Sequence, residues 1–205
     1  QRQMCIRDRA NVNIKDKDGY TLLHSTILNN DSRGALFLLN IGVDINIKTP
    51  NGETPLQLVV KHQLESVLID LCSKGADINV KDENGNSPLW TALENNNEDI
   101  ASILVQYGCD TVCWGEGPGR CWQTLLHRAL DENNEFIACF LIRSGCDLNS
   151  PRKPSPDGKG EEEAYDGQTP LHMACCWGLE NVVQTLLEFG ADVNVQDSEG
   201  KTSLH

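Results

Sequence analysis

Histidine is the first side chain to test for catalysis, because its ordinary pKa lies near neutrality and it can move protons at physiological pH. The chain has five histidines, and His24, His127, His172 and His205 all follow a threonine or serine by the same short spacing. A position that recurs in every copy of a motif argues for a packing role rather than one assembled site. His62 stands outside the pattern and reads as a surface residue. The nine cysteines contain no Cys-x-x-Cys spacing. Cys109, Cys139, Cys146 and Cys175 read as small buried hydrophobes. Cys109, Cys113 and Cys121, with His127 as a fourth ligand, form the one set that could approach zinc, although the repeated motif already uses His127.

Other chemistry fails on inspection. Asp16-Lys17-Asp18-Gly19 opens like a calcium loop, yet Ile27 stands where the bidentate acid belongs. The phosphate-binding G-x-x-x-x-G-K-[ST] and the G-x-S-x-G nucleophile turn are both missing. Asn30-Asp31-Ser32 has the form of a glycosylation acceptor, but reduced thiols point to an intracellular setting. With no acid, base and nucleophile set, the expectation is a non-enzyme without a cofactor or metal.

Composition narrows the classes further. The 205 residues are 39% apolar, enough for a continuous core, and 5% aromatic, so that core is mainly aliphatic. Thirty acidic against 17 basic residues leave a net charge of -13, which opposes binding along a phosphate backbone. No apolar run reaches the roughly 18 residues of a membrane helix. Gln1 to Arg9 match nothing that follows, and Met4-Cys5-Ile6-Arg7-Asp8 reads as a translated adaptor, so residues 1–9 are taken as non-native. The final Thr202-Ser203-Leu204-His205 opens a structural unit, which makes the chain a fragment on this reading.

The elements that must position these residues repeat. Gly19, Gly52 and Gly85 head a G-x-T-x-L-H motif or its relatives at intervals of 33, and Gly167 and Gly200 repeat that interval. Gly42, Gly75, Gly108, Gly145 and Gly190 head a second marker, Gly-x-Asp-x-Asn, with insertions entering between it and the next copy. In the second copy Thr54 caps a helix and Pro55 occupies its first turn. A second helix is predicted over Glu65–Ser73, with Gly75 ending it and Asn84-Gly85 marking a tight turn.

Asp166-Gly167-Gln168-Thr169-Pro170-Leu171-His172-Met173-Ala174 and Gly190-Ala191-Asp192-Val193-Asn194 resemble the defining motifs of the ankyrin repeat. The resemblance implies an all-α ankyrin-repeat solenoid of stacked helix-turn-helix units with β-hairpin-like connecting loops. On it, residues 10–18 end one repeat; 19–51, 52–84, 85–121, 122–166 and 167–199 are five repeats; and 200–205 begin another. Insertions fall at about 112–120 and 150–165. The fourth repeat is irregular, because Trp122 stands where the turn glycine belongs.

Such arrays bind other proteins through hairpin tips and a concave face of inner helices. The resemblance therefore picks out Ser25, Leu58, Thr91, Arg128 and Met173 after the motif histidine, and Lys61, Glu94, Asp131 and Trp177 one turn later. Trp177 is either an anchor in an exposed groove or a packing residue against the neighbouring repeat; Trp114 is a second anchor, and Trp90 reads as core. The longer insertion, with Pro151, Pro154, Pro156 and Glu161-Glu162-Glu163, is expected to project as a mobile loop. Ser150-Pro151 and Ser155-Pro156 are its candidate phosphorylation motifs. Leu-x5-Asp-aliphatic-Asn recurs and resembles the site of an iron-dependent asparaginyl hydroxylase, marking Asn46, Asn79, Asn149 and Asn194.

The irregular stretches Cys121-Trp122-Gln123-Thr124-Leu125-Leu126-His127 and Leu141-Ile142-Arg143-Ser144-Gly145-Cys146-Asp147 resemble a family of large endosomal ankyrin proteins. That family carries a BTB domain and a C-terminal FYVE zinc finger. It implies a parent at the cytosolic face of early endosomes that binds phosphatidylinositol 3-phosphate and a Rab-class GTPase. Neither flanking domain lies in these residues, so no lipid contact is expected from this segment. The alternative is a cytosolic adaptor in signalling or ubiquitin-ligase assembly.

Overall fold

The computed structural model describes residues 12–116, 121–154 and 167–203. The expectation for residues 1–9 and the Glu161–Glu163 part of the insertion fall outside them, as does His205. The chain divides into two compact units, residues 1–109 and 110–205.

The first unit contains three helix pairs. Inner helices α1 (Leu22–Leu28), α3 (Pro55–Lys61) and α5 (Pro88–Glu94) alternate with outer helices α2 (Ser32–Ile41), α4 (Glu65–Ser73) and α6 (Glu98–Gln106). Each inner helix packs on its own outer partner, consecutive inner helices of the unit pack on each other, and its outer helices stack likewise. The predicted helix over Glu65–Ser73 has those bounds. A helix of seven residues is too short to be stable alone, so its ends and its packing must hold it. Thr21, Thr54 and Ser87 cap the inner helices, and each side chain accepts the amide hydrogen three residues on. The outer helix α2 ends at Gly42, whose φ of 84° is the left-handed conformation that a glycine adopts without a Cβ penalty. Its core is aliphatic as composition required: Leu23, Ile27, Leu39, Leu56, Leu68, Leu71, Leu93, Ile100 and Leu104 are all at most 2% exposed. Trp90, which replaces the motif histidine, is fully buried with them.

The second unit has two helix pairs, α7 (Leu125–Asp131) with α8 (Glu135–Arg143) and α9 (Pro170–Cys176) with α10 (Glu180–Glu188). It adds a small antiparallel sheet of order β1-β2-β3, from Gly115–Glu116, Cys121–Gln123 and Lys153–Pro154. The register pairs Glu116 with Trp122 and Trp122 with Lys153. The sheet therefore joins the two insertions to each other. This corrects the expectation of a freely projecting loop for its described part. Residues 151–154 are tied down by strand pairing and by Arg152, which is 8% exposed. It also accounts for Trp122 in place of a turn glycine, because the chain there is extended strand.

Candidate protein-binding surface

The motif histidines are built into the starts of the inner helices. The backbone N–H of Thr21 donates to His24 Nδ1 at 3.0 Å, and His24 Nε2 meets the Ile47 carbonyl at 2.8 Å. An Nδ1 that accepts an amide hydrogen carries none of its own, so the Nε2–H tautomer donates to Ile47. His127 repeats this with the Thr124 hydroxyl at 2.7 Å and the Gln168 carbonyl at 3.2 Å, and His172 with Thr169 at 2.7 Å and Lys201 at 3.0 Å. Burial lowers the His24 pKa, its bond to the Ile47 carbonyl opposes that shift only in part, and the neutral ring is favoured. These imidazoles tie the start of each inner helix to the hairpin that leads into the next repeat. His62 Nδ1 lies 3.0 Å from Asn30 Oδ1, between the loops of adjacent pairs.

Cys72, Cys109 and Cys146 are buried, whereas Cys139 and Cys175, expected to be buried, are half-buried. Burial pushes the Cys72 thiol up to about 11, and burial followed by the nearby Asp147 charge pushes Cys146 up to about 12. Both remain neutral thiols at physiological pH and are poor nucleophiles. Cys109 is buried, Cys113 is half-buried and His127 already has both ring nitrogens engaged. Among the described residues no three His, Cys, Asp or Glu side chains are grouped to hold a metal ion.

Each sequence-predicted binding residue has a definite place. Lys61 is exposed at the end of α3 and paired with Glu53; Glu94 is exposed at the end of α5. Arg128 is half-buried, with Nε 3.0 Å from Glu132. Trp177 is 45% exposed and forms the C-cap of α9. Ser25 and Thr91 are half-buried. Leu58 and Met173 are corrections: at 4% and 1% exposure they belong to the packed layer, where burying such a side chain contributes roughly 1.5–3 kcal/mol. Asp131 is a correction too. Its carboxylate is only 14% exposed and forms an ion pair with Arg152. Trp114 is half-buried beside Lys153, whose Nζ lies 4.3 Å from the ring centroid, so its face is already occupied by a cation. The helical register also places Cys176, which is exposed, rather than Trp177 at the position of Lys61 and Glu94.

The Arg152–Asp131 pair had a signal in the sequence. Asp16, Asp82 and Asp197 each hold the hairpin by accepting amide hydrogens two and four residues on. Arg152 stands at that position in the fifth hairpin, its amide donating to the Gln168 carbonyl at 2.9 Å. A guanidinium accepts nothing, so it turns inward to Asp131 on α7 instead.

The asparagines Asn46, Asn79, Asn149 and Asn194 are all exposed in the turns that follow the outer helices. The amide of each donates to the aspartate two residues earlier at 2.9 to 3.0 Å. Asn149 Oδ1 also accepts from the Asp192 amide at 2.8 Å and so ties the last two hairpins together.

An open apolar groove of about 510 Å³ lies along α9 and α10, lined by Ala174, Cys175, Gly178, Val183, Gln184 and Leu187. The corresponding residues of α3 and α4 include Val60, Leu68 and Cys72, which are buried beneath α5 and α6. The groove therefore has the character of a stacking face rather than a small-molecule cleft.

Paired short helices joined by glycine-ended hairpins, with a Thr-x-x-His cap at their start, recur in a family of known proteins. A profile described as "Ankyrin repeats (3 copies)" matches residues 3–82, 26–113 and 68–152, and one described as "Ankyrin repeat" matches 166–198. The chain belongs to the ankyrin-repeat family. Among ankyrin relatives, Rabankyrin-5 of Mus musculus is 63% identical over 101 residues, which is 49% of this chain and 9% of that protein. Rabankyrin-5 of Homo sapiens is 63% identical over 98 residues, 48% of this chain and 8% of its own length. The chain thus spans about a tenth of those proteins. The ankyrin repeat domain of Bcl-3, a member of the IkappaB protein family, superposes with a TM-score of 0.66 at 25% identity, covering 92% of this chain and 80% of that one. An ankyrin repeat domain from Acinetobacter baumannii AYE gives 0.63 at 20% identity, over 94% and 89%, and shares the fold. Ankyrin repeats are a protein-interaction module, and no helix among the described residues is long and apolar enough to cross a membrane.

Proposed function

We propose that this chain is a non-catalytic protein-interaction scaffold, the ankyrin-repeat part of an endosomal Rab effector in endocytic vesicle traffic. The observation that carries the reading is the 63% identity to Rabankyrin-5 over about half the chain. The resemblance read from the irregular stretches Cys121–His127 and Leu141–Asp147 points the same way. On this reading the parent binds phosphatidylinositol 3-phosphate and a Rab-class GTPase through other parts of its length, and this segment offers Lys61, Glu94, Arg128 and Trp177 to protein partners. The binding chemistry rests on exposed side chains held on short, capped and stacked helices, which lose little conformational freedom on association.

The test is the location of the full-length protein carrying this segment. Fluorescent fusion protein should decorate early endosomes and disperse when phosphatidylinositol 3-kinase is inhibited. A diffuse signal indifferent to that inhibitor would favour the other reading, a cytosolic adaptor in signalling or ubiquitin-ligase assembly.

A further inference from the structure

The turn that leaves the fourth repeat carries chemistry that the scaffold reading does not use. Ser150 is half-buried, and its hydroxyl donates to Asp147 Oδ2. The other oxygen of that carboxylate accepts the amides of Asn149 at 2.9 Å and Ser150 at 3.1 Å. Pro151 follows, which disfavours a helical conformation at Ser150. Lys153 is exposed three residues after Ser150. A serine followed by proline, with a basic residue at the third position beyond, is the substrate pattern of proline-directed kinases of the cyclin-dependent type. Ser155-Pro156 lacks that basic residue, since Gly158 stands there.

We infer that Ser150 is a phosphorylation site for a proline-directed kinase, and that the modification releases the turn linking the last two hairpins. In the transfer Ser150 Oγ attacks the γ-phosphorus of ATP. The new O–P bond forms as the bond to ADP breaks, and the hydroxyl proton passes to the kinase's catalytic aspartate and then to solvent. The phosphate brings close to two negative charges beside the Asp147 carboxylate, where a hydrogen-bond donor stood. Arg152 cannot swing round to neutralise it, because its guanidinium is buried against Asp131. Repulsion therefore opens the Asp147 turn. Asn149 moves with that turn, and its Oδ1 is what holds the Asp192 amide.

The purified protein is incubated with Mg-ATP and a cyclin-dependent kinase, then read by peptide mass spectrometry and amide hydrogen exchange. Phosphate is expected on Ser150, with loss of that label in Ser150→Ala and reduced labelling of Ser150 in Lys153→Ala. Exchange at the Asn149, Ser150 and Asp192 amides should rise on phosphorylation and return when a phosphatase removes the group, a reversal that needs no variant to fold. Phosphate on Ser155 alone would overturn the site. Phosphate on Ser150 with unchanged exchange at Asp192 would overturn the release.

Discussion

Gln57 makes in the second repeat the two bonds that His24 makes in the first. Gln57 Oε1 accepts the Thr54 amide at 2.8 Å and its Nε2 donates to the Val80 carbonyl at 3.2 Å. His24 offers Nδ1 to the Thr21 amide and Nε2 to the Ile47 carbonyl in the same geometry. An amide that does the same work as an imidazole shows that the position needs one acceptor and one donor, and no proton transfer.

This equivalence has a pH consequence. His24 has a folded pKa below its ordinary 6.5, so the unfolded chain binds more protons in acid. Its stabilising contribution is complete above about 6.5 and is lost as pH falls through the depressed folded value. His24→Gln should match wild type at neutral pH and lose less stability on acidification. Urea unfolding at a series of pH values checks this, and parallel curves for the two proteins would contradict it.

The Arg152–Asp131 pair should be costly to break from one side. Arg152→Met leaves a carboxylate buried without its partner and should destabilise by about 3 kcal/mol. Adding Asp131→Leu should recover most of that loss, because paired apolar replacements often match a buried ion pair. Chemical denaturation of the single and double variants gives the comparison.

Much of this architecture was legible in the sequence, and particular residues show where legibility stopped. Thr54, Pro55 and Gly75 act through local backbone chemistry, so the helix over Glu65–Ser73 could be placed from its neighbours in the chain. Leu58 and Met173 could not be placed the same way. Their burial depends on what lies over the inner helix, and the sequence pattern assigns them to an open face. The sheet is a longer-range case, since Trp122 and Lys153 pair across a whole helix pair. The proline and glutamate composition of the insertion reads as loose loop, and Arg152 at a hairpin aspartate position was the one local departure that pointed to docking.

Trp177 separates two roles by stability. As a surface anchor at 45% exposure, Trp177→Ala should change unfolding free energy within about 0.5 kcal/mol, the range of ordinary surface substitutions. A loss of several kcal/mol in a thermal or urea melt would assign it to packing instead.

The exposed hairpin asparagines should be accessible to modification. Mass spectrometry of the protein from cells is expected to find an added oxygen on one or more of Asn46, Asn79, Asn149 and Asn194. Four unmodified asparagines would reject the hydroxylation.

The proposed grip on protein partners comes from exposed side chains at the ends of the inner helices. It is tested most directly by quantitative affinity capture, comparing wild type with Lys61→Ala/Glu94→Ala in the first unit and Trp177→Ala in the second, with helix content checked by circular dichroism. At least one variant is expected to lose specific partners while keeping its helix content. Recovery of every partner in wild-type amounts by both variants would contradict it.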